Sequence, residues 1–155
     1  MKILNNLNDV SKNPKAITVG NFDGIHKGHQ ALINKTKEIS TENNVESVIF
    51  TFNKLPKEII SPDTVQRLYD NEIKESILSS YEIDTLLSID FNEIKDYSAD
   101  FFCEEILIKK LNAQYLIIGE NFKFGKDRSG DIEKLRKFNS KKAFELIVPK
   151  LEKHN

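Results

Sequence analysis

A chain of 155 residues has the length of one domain, and a formal net charge of −1 lacks the basic excess expected of a binder of nucleic-acid duplexes or anionic membranes. Hydrophobic residues at 39% and charged residues at 30% suit a soluble globular fold. The single cysteine, Cys103, excludes an intrachain disulfide and any multi-cysteine metal site, and its apolar surroundings point to packing rather than to a nucleophile. No signal peptide or membrane-spanning run stands out in the sequence, so a cytoplasmic protein is expected, reading residues 1–155 as one domain.

In chain order, residues 1–14 are polar and Asn-rich, anchored by Ile3, Leu4, Leu7 and Val10, and read as an edge strand and loop. Residues 16–19 form a short apolar run that reads as a buried strand. A turn containing Gly20 and Gly24 follows, then an amphipathic helix from near Gly28 to about Ser40, with Leu32, Thr36 and Ile39 at i, i+4 and i+7. Residues 41–44 read as a turn. The run 47–52 (SVIFTF) is apolar enough for a strand covered on both faces, as in a parallel sheet.

Two prolines make 53–62 a loop, and 64–80 a helix with Val65, Leu68, Ile73 and Ile77 on or near one face. Residues 85–89 are the next strand. Ser98 is a good N-cap, with Asp100 in the first turn, for a helix through Leu111. Residues 115–118 form a strand running into the long loop GENFKFGKDRSGD; 132–138 is a short helix and 144–148 a last strand. Alternation of this kind specifies an α/β fold, with about five strands in a mostly parallel sheet flanked by helices. Ligands of such sheets sit beyond the carboxyl ends of the strands, where strand order reverses. The two unusual loops, after 16–19 and after 115–118, both lie at carboxyl ends and are expected to share one site.

The first of these loops carries the chemistry. The stretch VGNFDGIHKGHQ (19–30) reads strand, glycine-bearing turn, helix, with His26 and His29 at the helix entrance. A helix start offers unpaired N–H groups and partial positive charge, which favour a phosphate, and imidazoles three residues apart can face one ligand. A surface His-x-x-His pair is the plain alternative. Neither a G-x-x-x-x-G-K-[ST] phosphate loop nor a G-x-G-x-x-G dinucleotide fingerprint is present, and no H-E-x-x-H zinc motif occurs.

The run GNFDGIHKGHQALI resembles the opening motif of the FMN adenylyltransferase (FAD synthetase) module of bacterial bifunctional riboflavin kinase/FAD synthetases. That module belongs to the HxGH nucleotidyltransferase superfamily, with His26-Lys27-Gly28-His29 as the signature here. A second block, IIGENFKFGKDRSGDIEKL (117–135), is similar to the family's flavin-side loop, and TFNKLP (51–56) stands where the family has TFxPHP. The resemblance covers nearly the whole chain and implies a Rossmann-like nucleotidyltransferase fold that joins ATP and FMN into FAD and pyrophosphate with Mg²⁺.

It further implies His26 and His29 as catalytic donors to the α-phosphate, and Gly20, Asn21, Phe22, Asp23, Gly28 and His29 as nucleotide-binding. Asn121, Phe124, Gly125 and Arg128 would be flavin-side residues, with no protein metal ligand. Lys126 could meet a phosphate, Gly125 and Gly130 could serve turns, Phe22 could simply pack, and Phe52 could be core or binding. Lys54 and Leu55 replace the family's Pro-His. The family continues with an ISSTxIR-like segment and a riboflavin kinase domain, neither of which this sequence contains, so it reads as a fragment or a short version. The alternatives are a flavin- or nucleotide-binding module without turnover, and another HxGH transferase.

Overall fold

A computed structural model describes residues 1–22, 27–53, 62–141 and 143–150, with the backbone alone for 62–70. Its centre is a six-stranded sheet in which every paired neighbour runs parallel: β1 (Lys2–Leu4), β2 (Lys15–Val19), β3 (Glu46–Asn53), β4 (Thr85–Asp90), β5 (Ala113–Ile117) and β6 (Glu145–Ile147), in the order β1-β4-β3-β2-β5-β6. The α/β, Rossmann-like expectation holds, with six strands instead of about five. The sixth is the expected N-terminal edge strand, where Ile3 pairs with Leu86 of β4.

The three central strands are buried almost end to end, which is why their sequences are continuous apolar runs rather than alternating ones. Side chains of alternate residues serve opposite layers. On one face, Ala16 and Ile117 pack with Leu32 and Ile39 of helix α1 (Lys27–Asn43), while Ile49 and Leu86 pack with Ile33 of α1 and Leu78 of α2 (Pro62–Ser79). On the other, Ile17, Phe50, Leu87 and Leu116 pack with three further elements. These are the one-turn helix α3 (Phe91–Ile94), the short helix α4 (Ala99–Phe101) running into wide turns over Phe102–Lys110, and α5 (Ile132–Ser140).

Three expectations need correction. Residues 41–43 continue α1 instead of forming a turn; the helix stops because Asn44 takes a left-handed backbone (φ 52°), a conformation asparagine tolerates at a helix C-terminus. Ile73 and Ile77, expected on the packed face of α2, are 42% and 44% exposed, because α2 rests on the sheet through Leu78. Val65 and Leu68 lie outside the side chains described. Beyond Ser98, which caps α4 by accepting the Phe101 N–H at 3.1 Å, the ladder widens: the Leu111 N–H donates to the Ile106 carbonyl, five residues back, so this segment is not a regular α-helix.

Strand order positions the site. From β2 the chain goes to β3 on one side, whereas β5 lies on the other side of β2 and leads on to β6. The carboxyl ends of β2 and β5, adjacent with Thr18 opposite Ile117, therefore flank a point of reversal, the place where ligands of such sheets bind.

Candidate active site

The loop after β2 is held from three directions. The Gly20 N–H donates to the Phe50 carbonyl at 3.1 Å, and the buried Thr51 hydroxyl donates to the Asn21 carbonyl at 2.9 Å. Phe22 then adopts a left-handed backbone (φ 54°), turning its ring down into the core with Ile33, Ile49, Leu78, Ile83 and Leu86, where it is 1% exposed. The turn leaves room for that ring because residue 20 is glycine: a Cβ there would lie 3.3 Å from Phe22 Cε2. Helix α1 begins at Lys27, putting Gly28 and His29 in its first turn. The half-buried His29 ring meets the Phe22 ring edge-on, centroids 5.1 Å apart at 61°. Next to this turn, the Thr18 hydroxyl is buried without a hydrogen-bond partner among the described residues.

The loop after β5 starts beside α1, since a Cβ at Gly119 would lie 3.8 Å from Leu32 Cδ1. It then folds over the opposite layer. The Phe124 and Gly130 backbones exchange hydrogen bonds at 3.1 and 2.8 Å, closing the loop as a hairpin. Gly125 (φ +77°) carries it across the start of α4, so closely that a Cβ would sit 2.8 Å from the Ala99 nitrogen. The Lys126 N–H anchors it to the Tyr97 carbonyl at 2.8 Å, and Asp131 caps α5 by accepting the Lys134 N–H at 3.0 Å.

Between this loop and the ends of β3 and β4 lies a cleft with an enclosed volume of about 50 Å³, or about 360 Å³ with its open mouth. Phe52, Phe91, Phe102, Phe122 and Phe124 line it, with Lys95 and Lys123 among the polar lining residues. The rings form a continuous chain: Phe122 stacks on Phe124 (5.5 Å, 14°), Phe124 meets Phe102 (5.6 Å), Phe102 meets Phe50 (5.9 Å), Phe50 meets Phe52 (5.2 Å) and Phe52 meets Phe91 edge-on (5.8 Å). Aromatic rings of this kind offer offset-stacking partners to a flat apolar group. The start of α1 follows β2, and the aromatic cleft lies beyond the ends of β3 and β4 beside the loop after β5.

Comparison with known proteins gives the family: the model for FAD synthetase fits residues 8–155. The chain belongs to the FAD synthetase family. It is 36% identical over 146 residues to the bifunctional riboflavin kinase/FMN adenylyltransferase of Buchnera aphidicola subsp. Schizaphis graminum, covering 93% of this chain and 46% of that protein. It is 34% identical over 161 residues to the protein of the same name from the Acyrthosiphon pisum strain, covering 100% and 51%. The chain therefore spans about half the length of these relatives. Among solved structures, one titled as a macrolide-efflux protein from Streptococcus pneumoniae superposes with a TM-score of 0.66 at 27% identity, over 95% of this chain and 48% of that one.

Within this FAD synthetase-family chain, the sequence-derived site residues separate into groups. Gly28 and His29 stand at the helix start as expected, and Gly20 and Asn21 form the turn before it. Asp23 and His26 fall outside the described residues, as do Lys54 and Leu55. Phe22 is a core side chain, so only its backbone can face a ligand. Phe124 and Gly125 line the aromatic cleft; Asn121, Lys126 and Arg128 are exposed on the same loop. Phe52 is both a packing and a lining residue.

Sequence reasoning missed Phe91 and Phe122. Both carried a signal: Phe91 directly follows the carboxyl end of β4, and Phe122 precedes Phe124 by two, the spacing that puts extended residues on one side. Cys103 is buried, and burial pushes its thiol up to about 12, as suits a packing residue.

Proposed function

We propose that this chain is an FMN adenylyltransferase unit, transferring AMP from ATP to FMN to give FAD and pyrophosphate. The observation that carries the proposal is the junction of two unlike half-sites at one strand reversal: the Gly28–His29 helix start beyond β2, and the phenylalanine-lined cleft beside β5. Neither half alone is diagnostic; an adenylyl transfer onto a flavin nucleotide needs both.

In this reading an oxygen of the FMN phosphate attacks the α-phosphorus of ATP, a new P–O bond forms, and the bond to the β-phosphate bridging oxygen breaks as pyrophosphate departs. No enzyme nucleophile is required, so rate comes from alignment and from donors aimed at developing charge. His29, His26 and the N–H groups of the first turn of α1 donate to the α-phosphate, while Gly20, Asn21 and Asp23 shape the nucleotide's approach. Phe124 and Gly125 hold the isoalloxazine side, with Asn121 and the exposed cation Arg128 on the rim where phosphates pass. Mg²⁺ enters with the ATP phosphates. No group of three His, Cys, Asp or Glu residues that could hold a metal occurs among the described residues. The partners are the small molecules ATP and FMN, and in longer relatives a fused riboflavin kinase domain.

No helix among the described residues is long and apolar enough to cross a membrane. We assign the chain to the cytoplasm, with no nucleic-acid partner, in keeping with its net charge of −1. The test is pyrophosphate release and FAD formation from ATP, FMN and Mg²⁺ by the purified chain. FAD formation that needs His29 supports the assignment; full turnover by His29→Ala, or none by the unmodified chain, overturns it.

A further inference from the structure

We propose that Gly130 is a positioning residue that sets the plane of the Phe124 ring in the aromatic cleft. The inference rests on the flavin-side reading of that cleft and deepens it.

The two glycines of this loop are glycine for different reasons. Gly125 has a left-handed backbone (φ +77°) and abuts the Ala99 backbone, so both its conformation and its lack of a side chain serve docking of the loop. Gly130 has neither constraint: its φ lies outside the left-handed region, and an alanine could adopt its backbone without strain. What excludes a side chain there is the Phe124 ring. A Cβ at Gly130 would lie 2.6 Å from Phe124 Cε2 and Cζ and 2.7 Å from Cε1. The face of the Phe124 ring therefore covers the Gly130 Cα.

The ring is the movable part of the contact. The Phe124 and Gly130 backbones are fixed to each other by two hydrogen bonds, so they cannot separate to admit a methyl group. The ring must swing instead. Phe124 is 8% exposed, stacked on Phe122 and packed on Phe102, and every displacement of its ring changes the wall those three side chains build. Gly130 itself is not among the residues that line the cleft. Its influence passes through one side chain.

A double-mutant cycle reads this directly. Alanine at 124 removes the whole ring, whose face a Cβ at 130 would strike. Gly130→Ala is expected to raise KM for FMN by about tenfold, while KM for ATP stays within twofold and the urea midpoint shows a folded protein. Phe124→Ala is expected to raise KM for FMN at least as much. In the Phe124→Ala background, Gly130→Ala is expected to add less than a twofold change, because nothing remains for the methyl group to displace. Equal effects of Gly130→Ala on both substrates, unchanged KM for FMN, or multiplicative effects in the double variant would overturn the proposal. Should Gly130→Ala fail to fold, recovery of a folded, FMN-using protein in the double variant supports it and failure there overturns it. An unmodified chain that makes no FAD would instead remove the flavin reading beneath it.

Discussion

Phe22 links the fold to the chemistry, and Phe22→Leu isolates that link. The substitution keeps an apolar side chain in the same cluster and leaves the left-handed backbone cost unchanged, since both residues carry a Cβ. It removes the edge-on contact with His29, worth about 1 kcal/mol. It also underfills a site bounded by Ile33, Ile49, Leu78, Ile83 and Leu86, for about another 1 kcal/mol. The expected loss of stability is therefore about 2 kcal/mol, measured by urea unfolding followed by far-UV circular dichroism.

The same change frees the His29 ring on one side, and a reacting group displaced by a fraction of an ångström loses on the order of tenfold in rate. Ile33→Val is the matched control: it thins the same cluster for about 1 kcal/mol without removing the ring that meets His29. Assayed well below either unfolding midpoint, Phe22→Leu is expected to form FAD about tenfold more slowly than unmodified protein, and Ile33→Val within twofold of it. Equal rates for the two variants would refute the idea that Phe22 orients His29 and would leave it a core residue only.

His29→Ala removes the proposed phosphate donor and is expected to lower kcat by about 10²–10³-fold while leaving KM for FMN within threefold, read from steady-state pyrophosphate release. Thr51→Val keeps the shape of a buried side chain but takes the 2.9 Å donor from the Asn21 carbonyl, for an expected loss of about 1 kcal/mol in urea unfolding. The Cys103 thiol titrates near 12 in the fold against its ordinary value of 9.0, so the folded state holds the proton that the unfolded state has lost. Its contribution is complete below pH 9.0 and is lost as pH rises toward 12, with a slope of up to about 1.4 kcal/mol per pH unit. Lys15 works in the opposite sense: burial lowers its ammonium pKa, so it favours the fold increasingly as pH rises toward 10.5. Cys103→Ala is therefore expected to flatten or reverse the alkaline fall, as followed by unfolding midpoints between pH 8 and 11.

The central strands were legible because burial on both faces leaves a local signature. SVIFTF can be satisfied only inside a layered sheet, and its registered neighbours are equally apolar. The edges were less legible: β1 and β6 are three residues each, and Ile3 is largely exposed, so their pairing depends on partners remote in sequence. Ile73 and Ile77 show the limit of periodicity, which identifies an apolar stripe without saying which part of it meets the sheet. The role of Phe22 was illegible for another reason. Nothing local in GNFDG distinguishes an aromatic ring turned toward a ligand from one turned into the core; the left-handed φ decides it, and Gly20 makes room for the result.

The site itself was legible in two halves and illegible as a whole. Each half announces itself locally, one as a strand–turn–helix with histidines, the other as a loop of glycines, phenylalanines and cations. About ninety residues separate His29 from Phe124, so their relative placement depends on strand order, which no local pattern specifies. The sheet supplies it by placing β5 against β2 after the chain has already used β3 and β4 on the other side. The same topology places Phe52 and Phe91, at the ends of β3 and β4, across the cleft from the β5 loop. Strand order therefore gathers rings from three separate strand ends into one wall.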